Sequence, residues 1–203
     1  MDKILQTIVI DWIPDKAKVV DFGCGDGALL KILAEKKSIL GYGVENDPVK
    51  INGCINNGVS VIQQDIDECI QHYRDMDFDV AIMASSIQCL RKPRNAMQNI
   101  LKVANECVIT LPNFGNWELR AGLLRGKMPS SVQLPAKWYE TKNLHLCTIA
   151  DFEELCADLI NRCRTPIEVS LKDVAAATLG HLGLLSDAAL NSEERQKAGN
   201  SLY

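Results

Sequence analysis

The feature that most constrains the fold is the segment VVDFGCGDGALL, residues 19–30, in which an apolar run leads into an aspartate and three glycines at alternate positions. The apolar run predicts a buried strand, and the spacing of apolar residues in GALLKILAEKK predicts a helix after it. Gly23, Gly25 and Gly27 can adopt positive φ and let a ligand come close to the backbone of the turn. The segment therefore predicts a strand and a helix joined by a ligand-binding loop.

Strand and helix patterns continue to alternate after this loop. The predicted strands are SILGYGVEN, VSVIQQD, FDVAIMAS and ECVITLPN, and the helices between them are DPVKINGCINNG, IDECIQHYRD and PRNAMQNILKVA. Such repetition builds a parallel sheet with helices on both faces. We therefore expect an α/β fold with a doubly wound, mostly parallel sheet, and a sixth strand at residues 165–171.

Length and composition favour one domain that binds small molecules or proteins. The chain has 203 residues, 47% of them hydrophobic, which is enough for one good core. A formal net charge of -4 argues against nucleic acid or an anionic membrane as a partner. No apolar run approaches the roughly 18 residues of a membrane span, and the start of the chain lacks a secretory pattern, so we expect a cytoplasmic protein.

The eight cysteines are scattered along the chain, and no two have the C-x-x-C spacing. His145 and Cys147 are the closest neighbours of these two types, and two ligands do not complete a zinc site. We therefore expect reduced thiols and no bound metal.

Two kinds of ligand fit the glycine loop, a dinucleotide and S-adenosylmethionine (SAM). Gly23, Gly25 and Ala28 satisfy the G-x-G-x-x-G/A pattern of dinucleotide sites, and Glu45 follows about 20 residues later. Asp21, however, would repel a pyrophosphate, whereas it would attract the ammonium and sulfonium groups of SAM. The sequence therefore favours SAM or its product S-adenosylhomocysteine (SAH), with an NAD-dependent oxidoreductase as a distant alternative.

Residues after the second and third strands complete the expected cofactor site. Glu45, at the tip of the second strand, can accept hydrogen bonds from both ribose hydroxyls. Asp65 can accept one from the adenine amino group while Ile66 packs on the ring, and an ordinary helix N-cap is the alternative for Asp65. The predicted cofactor-binding residues are Asp21, Gly23, Cys24, Gly25, Gly27, Glu45, Asn46, Asp65 and Ile66.

Methyl transfer, as an activity of such a site, demands alignment of the acceptor more than acid–base chemistry. His145 is the candidate base, and a hydrogen-bonded structural histidine is the alternative. Ser85, Ser86 and Gln88 follow the fourth strand and can line a polar pocket. No other residue is assigned a catalytic role.

Residues from about 113 to 147 form a helical insertion after the fifth strand, and the tail from about 173 to 203 is poorly patterned. The stretch from Phe114 to Lys142 is rich in residue types that are enriched at interfaces. The alternative is a lid that packs on its own sheet, with Trp117 and Trp138 in its core. The residues concerned are Trp117, Arg120, Arg125, Lys127, Trp138 and Tyr139.

Several motifs together resemble the MetW family of methionine biosynthesis proteins, a branch of the class I SAM-dependent methyltransferase fold. The resemblance covers about residues 16–157 and rests on VVDFGCGDGALL, GYGVENDP, VIQQDID, FDVAIMASSIQCLRKP, ITLPNFGNWELRAGLLRGKMP and WYETKNLHLCTIADFEELC. It implies a Rossmann-like sheet of the class I methyltransferase type. It also implies SAM contacts from Asp21, Gly23, Gly25, Glu45 and Asp65.

The same resemblance implies a link to the homoserine O-acyltransferase step, in which proteins of this family act with the acyltransferase. We therefore expect a SAM-binding protein with this enzyme as its partner, docked on the stretch from Phe114 to Lys142. The alternative is an active SAM-dependent methyltransferase for an unidentified small-molecule acceptor. The chain departs from the family pattern at its end, where DVAAATLGHLGLLSDAAL stands in place of an aliphatic strand.

Overall fold

The computed structural model describes residues 3–74, 76–128, 130 and 136–162. The strands are β1 (Lys18–Phe22), β2 (Leu40–Glu45), β3 (Ser60–Gln63), β4 (Phe78–Ala84) and β5 (Ala104–Thr110). The helices are α1 (Lys3–Trp12), α2 (Ala28–Lys37), α3 (Pro48–Asn56), α4 (Ile66–Cys69), α5 (Pro93–Ile100), α6 (Trp117–Leu124) and α7 (Ile149–Arg162). Two 3₁₀ turns, Ile70–Tyr73 and Ile87–Cys89, follow α4 and β4.

The contacts of the chain divide it into two compact units. One unit runs from Val9 to Ile167 and contains all five strands. The other comprises Met1–Ile8 and Glu168–Tyr203, and of it the structure describes only residues 3–8, at the start of α1. The single domain over residues 1–203 therefore stays a prediction. The expected sixth strand (165–171) and the tail (173–203) lie outside the described residues.

The five strands form one parallel sheet in the order β3-β2-β1-β4-β5. This confirms the expected doubly wound, mostly parallel sheet. The direction of chain winding reverses between β1 and β4, so the crevice beyond the carboxyl ends of these strands is the topological switch point, where such sheets bind ligands. The glycine loop lies at this point, because it leaves the carboxyl end of β1.

The core lies on both faces of the central strands, which is why β1 and β4 are mostly apolar. Phe22 and Phe78 are at most 1% exposed, and both rings pack near Tyr73. Helix α5 adds Ile100 and α7 adds Leu159 to the same cluster. This packing makes the sheet a fixed base for the loops at its carboxyl edge.

Local side chains cap the starts of α3 and α7. Asp47 Oδ1 accepts a hydrogen bond of 3.0 Å from the amide of Val49, with Pro48 at the first position of α3. Before α7, Asp151 Oδ2 accepts from both the amide and the hydroxyl of Thr148, each at 2.8 Å. These caps use residues within three positions of one another, so they can be read from sequence.

Two predicted elements differ from the structure in their extent. The helix expected over PRNAMQNILKVA ends at Ile100, because the next turn closes through Val103, which is 3% exposed and donates to the Ile100 carbonyl. Strand β5 consequently begins at Ala104, earlier than expected. The helix expected over IDECIQHYRD becomes α4 and a 3₁₀ turn, in which Ile70 and Tyr73 align on one buried side.

In the described ranges, no helix is both long and apolar enough to cross a membrane. The seven cysteines that the structure describes are free thiols. Among the same residues, no group of three or more His, Cys, Asp or Glu side chains could hold a metal ion.

Candidate functional site

The three glycines of the loop between β1 and α2 all have positive φ, of 85°, 62° and 75°, but their surroundings differ. A Cβ on Gly23 would lie 2.8 Å from Ser86 Cβ, so this glycine lets the loop after β4 approach. A Cβ on Gly27 would lie 3.1 Å from Val59 Cβ, in the turn between α3 and β3. A Cβ on Gly25 would meet nothing within 4 Å. Gly25 therefore marks the open side of the loop.

Strand β2 fixes the shape of this loop. The amides of Gly23 and Cys24 donate to the Val44 carbonyl at 2.8 and 3.2 Å. The Cys24 side chain is 8% exposed and lies beneath the loop, with its Sγ 3.7 Å from Cys54 Sγ. Burial, followed by the charge of Asp21, raises the pKa of the Cys24 thiol far above its usual value. The thiol therefore packs as a neutral group, and any role of Cys24 in ligand binding belongs to its backbone.

Asp21 lies in β1, two residues before the loop, and is 1% exposed. Its Oδ1 is buried and has no hydrogen-bond partner among the described residues. Burial, and then the negative charge of Glu45, raises the pKa of Asp21 from 3.8 to about 7. A buried carboxylate without a partner is costly, and a cationic hydrogen-bond donor beside it would remove much of that cost. The site is thus suited to a ligand with a positive charge.

Glu45, the last residue of β2, connects the glycine loop to the loop before α3. It is 7% exposed, and its Oε2 accepts a hydrogen bond of 3.0 Å from the amide of Gly25. Its Oε1 accepts from the amides of Asn46 and Asp47 at 2.9 and 3.0 Å. A carboxylate has about four acceptor positions, so roughly one is left for a ligand hydroxyl. The expected pair of ribose hydrogen bonds stays a prediction.

Asp65 caps helix α4, because its Oδ1 accepts a 3.0 Å hydrogen bond from the amide of Asp67. Its Oδ2 lies 2.9 Å from Nη2 of Arg91, whose Nε contacts Asp67 Oδ2 at 3.2 Å. The helix-cap alternative is therefore confirmed. Ile66 lies beside the glycine loop, with its Cδ1 3.4 Å from the position of a Cβ on Gly23. The contacts of Asp65 and Ile66 with adenine remain predictions.

The loop after β4 brings further polar groups to the same edge of the sheet. Ser85 has φ of 55°, a rare conformation for a residue with a side chain, and its amide donates at 3.0 Å to both the carbonyl and the hydroxyl of Thr110. Gln88 is 6% exposed; its Nε2 donates to the Ser85 carbonyl at 2.7 Å, and its Oε1 has no partner among the described residues. Ser86 Oγ donates to the Phe22 carbonyl at 2.8 Å. The structure therefore brings Ser85, Ser86 and Gln88 together, and the polar pocket that they would line stays a prediction.

His145 lies in the segment that covers this loop. The amides of Leu144 and His145 donate to the Gln88 carbonyl at 2.9 and 3.0 Å. The side chain of His145 is exposed, so the residue is anchored by its backbone. A role as a catalytic base stays a prediction.

The expectation that Trp117 and Trp138 pack into the core of a lid is wrong. Their side chains are 66% and 70% exposed. Trp117 is exposed because α6 packs against the body through its opposite side, where Leu119 is 2% exposed.

Two residues at this edge were missed from the sequence. Thr110 is the last residue of β5, and its position at a strand end is the kind of signal that could have identified it. Arg91 pairs with acidic side chains 24 and 26 residues away in the chain. No local pattern could have indicated these pairs.

Solved structures of similar fold are class I SAM-dependent methyltransferases. A chain of the complex between the Haloferax volcanii Trm112 methyltransferase activator and the putative methyltransferase matches with a TM-score of 0.60 and 14% identity, over 77% of this chain and 67% of that one. The plantazolicin methyltransferase BamL, in complex with a triazolic desmethylPZN analog and SAH, matches with a TM-score of 0.58 and 16% identity, over 79% of this chain and 60% of that one. These likenesses show the fold: the chain is a methyltransferase-fold protein of class I.

The family is shown by sequence. The family model described as methionine biosynthesis protein MetW matches residues 5–190, so the chain belongs to the MetW family. The bifunctional methionine biosynthesis protein MetXA/MetW of Rhodopirellula baltica (strain DSM 10527 / NCIMB 13988 / SH1) is 26% identical over 161 residues. This match covers 74% of the chain and 26% of the relative, so the chain spans about a quarter of the relative's length. The expected family and fold class are confirmed.

Proposed function

We propose that this chain binds SAM or SAH at the carboxyl edge of β1 and β2 and acts as a SAM-responsive partner of a homoserine O-acyltransferase. The observation that supports ligand binding is the buried Asp21 carboxylate, whose Oδ1 has no hydrogen-bond partner in the part of the chain that the structure describes. The partnership with the acyltransferase is supported by the relative whose name joins MetXA and MetW in one chain. The family supplies the setting, which is methionine biosynthesis.

The residues at this edge fit the two ends of SAM. Asp21 Oδ1 would accept a hydrogen bond from the ammonium group, which approaches over the open side of Gly25. The remaining acceptor position of Glu45 would take a ribose hydroxyl, and Ile66 would pack on the adenine ring. When bound, SAM supplies a methyl group activated by its sulfonium charge. The ligand chemistry therefore matches the charge and shape of the site.

A dinucleotide fits the same residues poorly. The strand order is common to dinucleotide-binding proteins and methyltransferases, so it does not decide between them. A pyrophosphate over the glycine loop would lie close to the carboxylates of Asp21 and Glu45. The cation nearest Glu45 is Lys50, whose Nζ is 3.6 Å from Oε2 and is already paired there. Charge therefore favours SAM.

SAM is made from methionine, so a SAM site on a partner of an early enzyme can report the output of the pathway to that enzyme. The report requires that SAM binds the free chain and the complex with different affinities. Coupling of this kind is reciprocal, because the acyltransferase must then change the affinity for SAM by the same factor.

The test is a pair of titrations with the purified chain and the acyltransferase. One measures the affinity of the two proteins for each other with and without SAM. The other measures the affinity of the chain for SAM with and without the acyltransferase. The proposal predicts equal coupling factors of about 5 to 150 in the two titrations. Equal SAM affinity in both conditions would refute the sensing role, and failure of the proteins to associate would leave methyl transfer as the better function.

Methyl transfer is the second candidate, because polar groups gather beside the proposed SAM site. Ser85 is hydrogen-bonded to both Thr110 and Gln88, and Gln88 Oε1 is a buried acceptor with no partner among the described residues. An enzyme would release SAH when given SAM with cell extract or homoserine derivatives, whereas a regulatory subunit would not. Loss of that release in His145→Ala would support the catalytic role of His145.

A further inference from the structure

Helix α6 has apolar residues on two opposite sides. Leu119 is 2% exposed and attaches the helix to the body. On the other side, Trp117 is 66% exposed and Leu124, seven residues later, is 89% exposed. Arg120 and Ala121 lie between them at the spacing of one helix face. We call Trp117, Arg120, Ala121 and Leu124 the outer face of α6.

The apolar stripe of a surface helix normally faces the core, so exposed apolar side chains on the opposite side are unusual. A tryptophan and a leucine on one exposed helix face together expose a large apolar area on a small surface. Tryptophan and arginine together are the residue types most often found at the energetic centre of protein interfaces. The composition of the outer face is therefore that of a covered surface.

We infer that the outer face of α6 is the docking surface for the homoserine O-acyltransferase, an inference that rests on the proposed function. The occupant is indicated by the Rhodopirellula baltica relative, which carries a MetW part and a MetXA part in one chain. Two proteins that act together need a contact surface. Fusion in one chain replaces their bimolecular encounter with an intramolecular one.

The charge around α6 defines the partner's complementary surface. Residues 114–128 contain three basic side chains and one acidic one, Glu118. Arg120 lies on the outer face, and Arg125 and Lys127 follow the helix, all three exposed. The surface that binds here is an apolar groove with acidic groups at its rim. Added salt should therefore slow association.

The base of α6 is connected to the proposed SAM site through hydrogen bonds. The amide of Phe114, just before α6, donates to the Cys147 carbonyl at 3.0 Å. Two residues earlier than Cys147, the amide of His145 donates to the Gln88 carbonyl, and Gln88 Nε2 donates to Ser85. These hydrogen bonds connect the base of α6 to the loop after β4, which contacts Gly23, and so provide a physical route for coupling between SAM and the partner.

The first test uses a photo-crosslinking amino acid, p-benzoylphenylalanine, in place of Leu124 in the full chain. The control carries it in place of Ile55, an exposed residue of α3 with a side chain that is 63% exposed. With the acyltransferase present, position 124 should form a crosslink to the acyltransferase and position 55 should not. A crosslink from position 124 to a second copy, or to another part of its own chain, would overturn the inference.

The second test measures affinity for the acyltransferase with Leu124→Glu and the matched control Ile55→Glu. Both side chains are exposed, so neither change disturbs the core, and SAM affinity of the isolated chain should be unchanged in Leu124→Glu. We expect Leu124→Glu to weaken association about tenfold or more, and Ile55→Glu to leave it unchanged.

The outcomes separate this inference from the proposed function. If the wild type and Leu124→Glu bind the acyltransferase with equal affinity, the docking surface is wrong and the partnership stands. A wild type that does not associate with the acyltransferase would overturn both.

Discussion

Among single residues, Asp21 has opposite effects on folding and on binding. Burial, and then the charge of Glu45, raises its pKa to about 7 from the ordinary 3.8. Because the folded state has the higher pKa, it holds a proton that the unfolded state has lost between these two values. The free energy of unfolding therefore falls as the pH rises from about 4 to about 7, and stays low above that.

Asp21→Asn removes the charge and keeps the shape of the side chain. Since each factor of ten in ionisation corresponds to about 1.4 kcal/mol, we expect the variant to be more stable than wild type at pH 8 by about 2 to 4 kcal/mol. SAM should bind it at least about tenfold more weakly, because the cation loses its charged acceptor. Denaturant unfolding at pH 5 and pH 8, together with calorimetry, measures both. A pH profile of stability that is identical in the two proteins would contradict this account of Asp21.

Glu45→Ala tests the other carboxylate of the site. The change removes a charged acceptor of hydroxyl hydrogen bonds, so affinity for the nucleoside part of the ligand should fall by about 1 to 3 kcal/mol. It also leaves the amides of Gly25, Asn46 and Asp47 without their hydrogen-bond acceptor, so the midpoint temperature of thermal unfolding should decrease as well. Adenosine binding is to be measured well below that midpoint. An unchanged affinity there would remove Glu45 from the site.

At the scale of elements, the glycine loop permits a test with a matched control. Gly25 and Gly58 have φ of 62° and 71°, and a Cβ on either would meet nothing within 4 Å. Gly25→Ala and Gly58→Ala should therefore cost a similar amount of stability, about 1 to 2 kcal/mol each from left-handed strain.

Only Gly25→Ala should weaken SAM binding, because its new methyl group would occupy the open side of the loop. Parallel calorimetric titrations of the two variants measure the difference. Equal SAM affinity in both variants would show that the ligand does not approach over Gly25.

The order of strands and helices could be predicted because its signals are local. Strands β1 and β4 are mostly apolar, and α3 begins at an Asp-Pro pair that caps it. The open turn after β1 could also be predicted, because three glycines at alternate positions can adopt the positive φ that the structure shows.

The rest of the site depends on contacts between distant parts of the chain. The pairing of Arg91 with Asp65 joins residues that are far apart in sequence, and the unpaired oxygen of Asp21 depends on what surrounds it on every side. Whether Trp117 faces the body or the solvent depends on which side of α6 packs. None of these is set by local spacing.

For the molecule as a whole, one edge of the sheet carries both proposed activities. The loops after β1 and β2 form the candidate SAM site, the loop after β4 carries Ser85, Ser86 and Gln88, and the segment after β5 leads into α6. A partner on α6 and a ligand over the glycine loop therefore contact neighbouring loops of the same sheet. This arrangement would allow a methyltransferase fold to serve as the sensor that we propose.

The central claim is that the buried Asp21 carboxylate selects a cationic nucleoside. Isothermal titration calorimetry of the purified chain at pH 7.5 with SAM, SAH and NAD in parallel tests it most directly, with Asp21→Asn as the control. We predict binding of SAM or SAH that is weakened in Asp21→Asn, and no heat of binding with NAD. Measurable binding of NAD, with no response to SAM or SAH, would contradict the account.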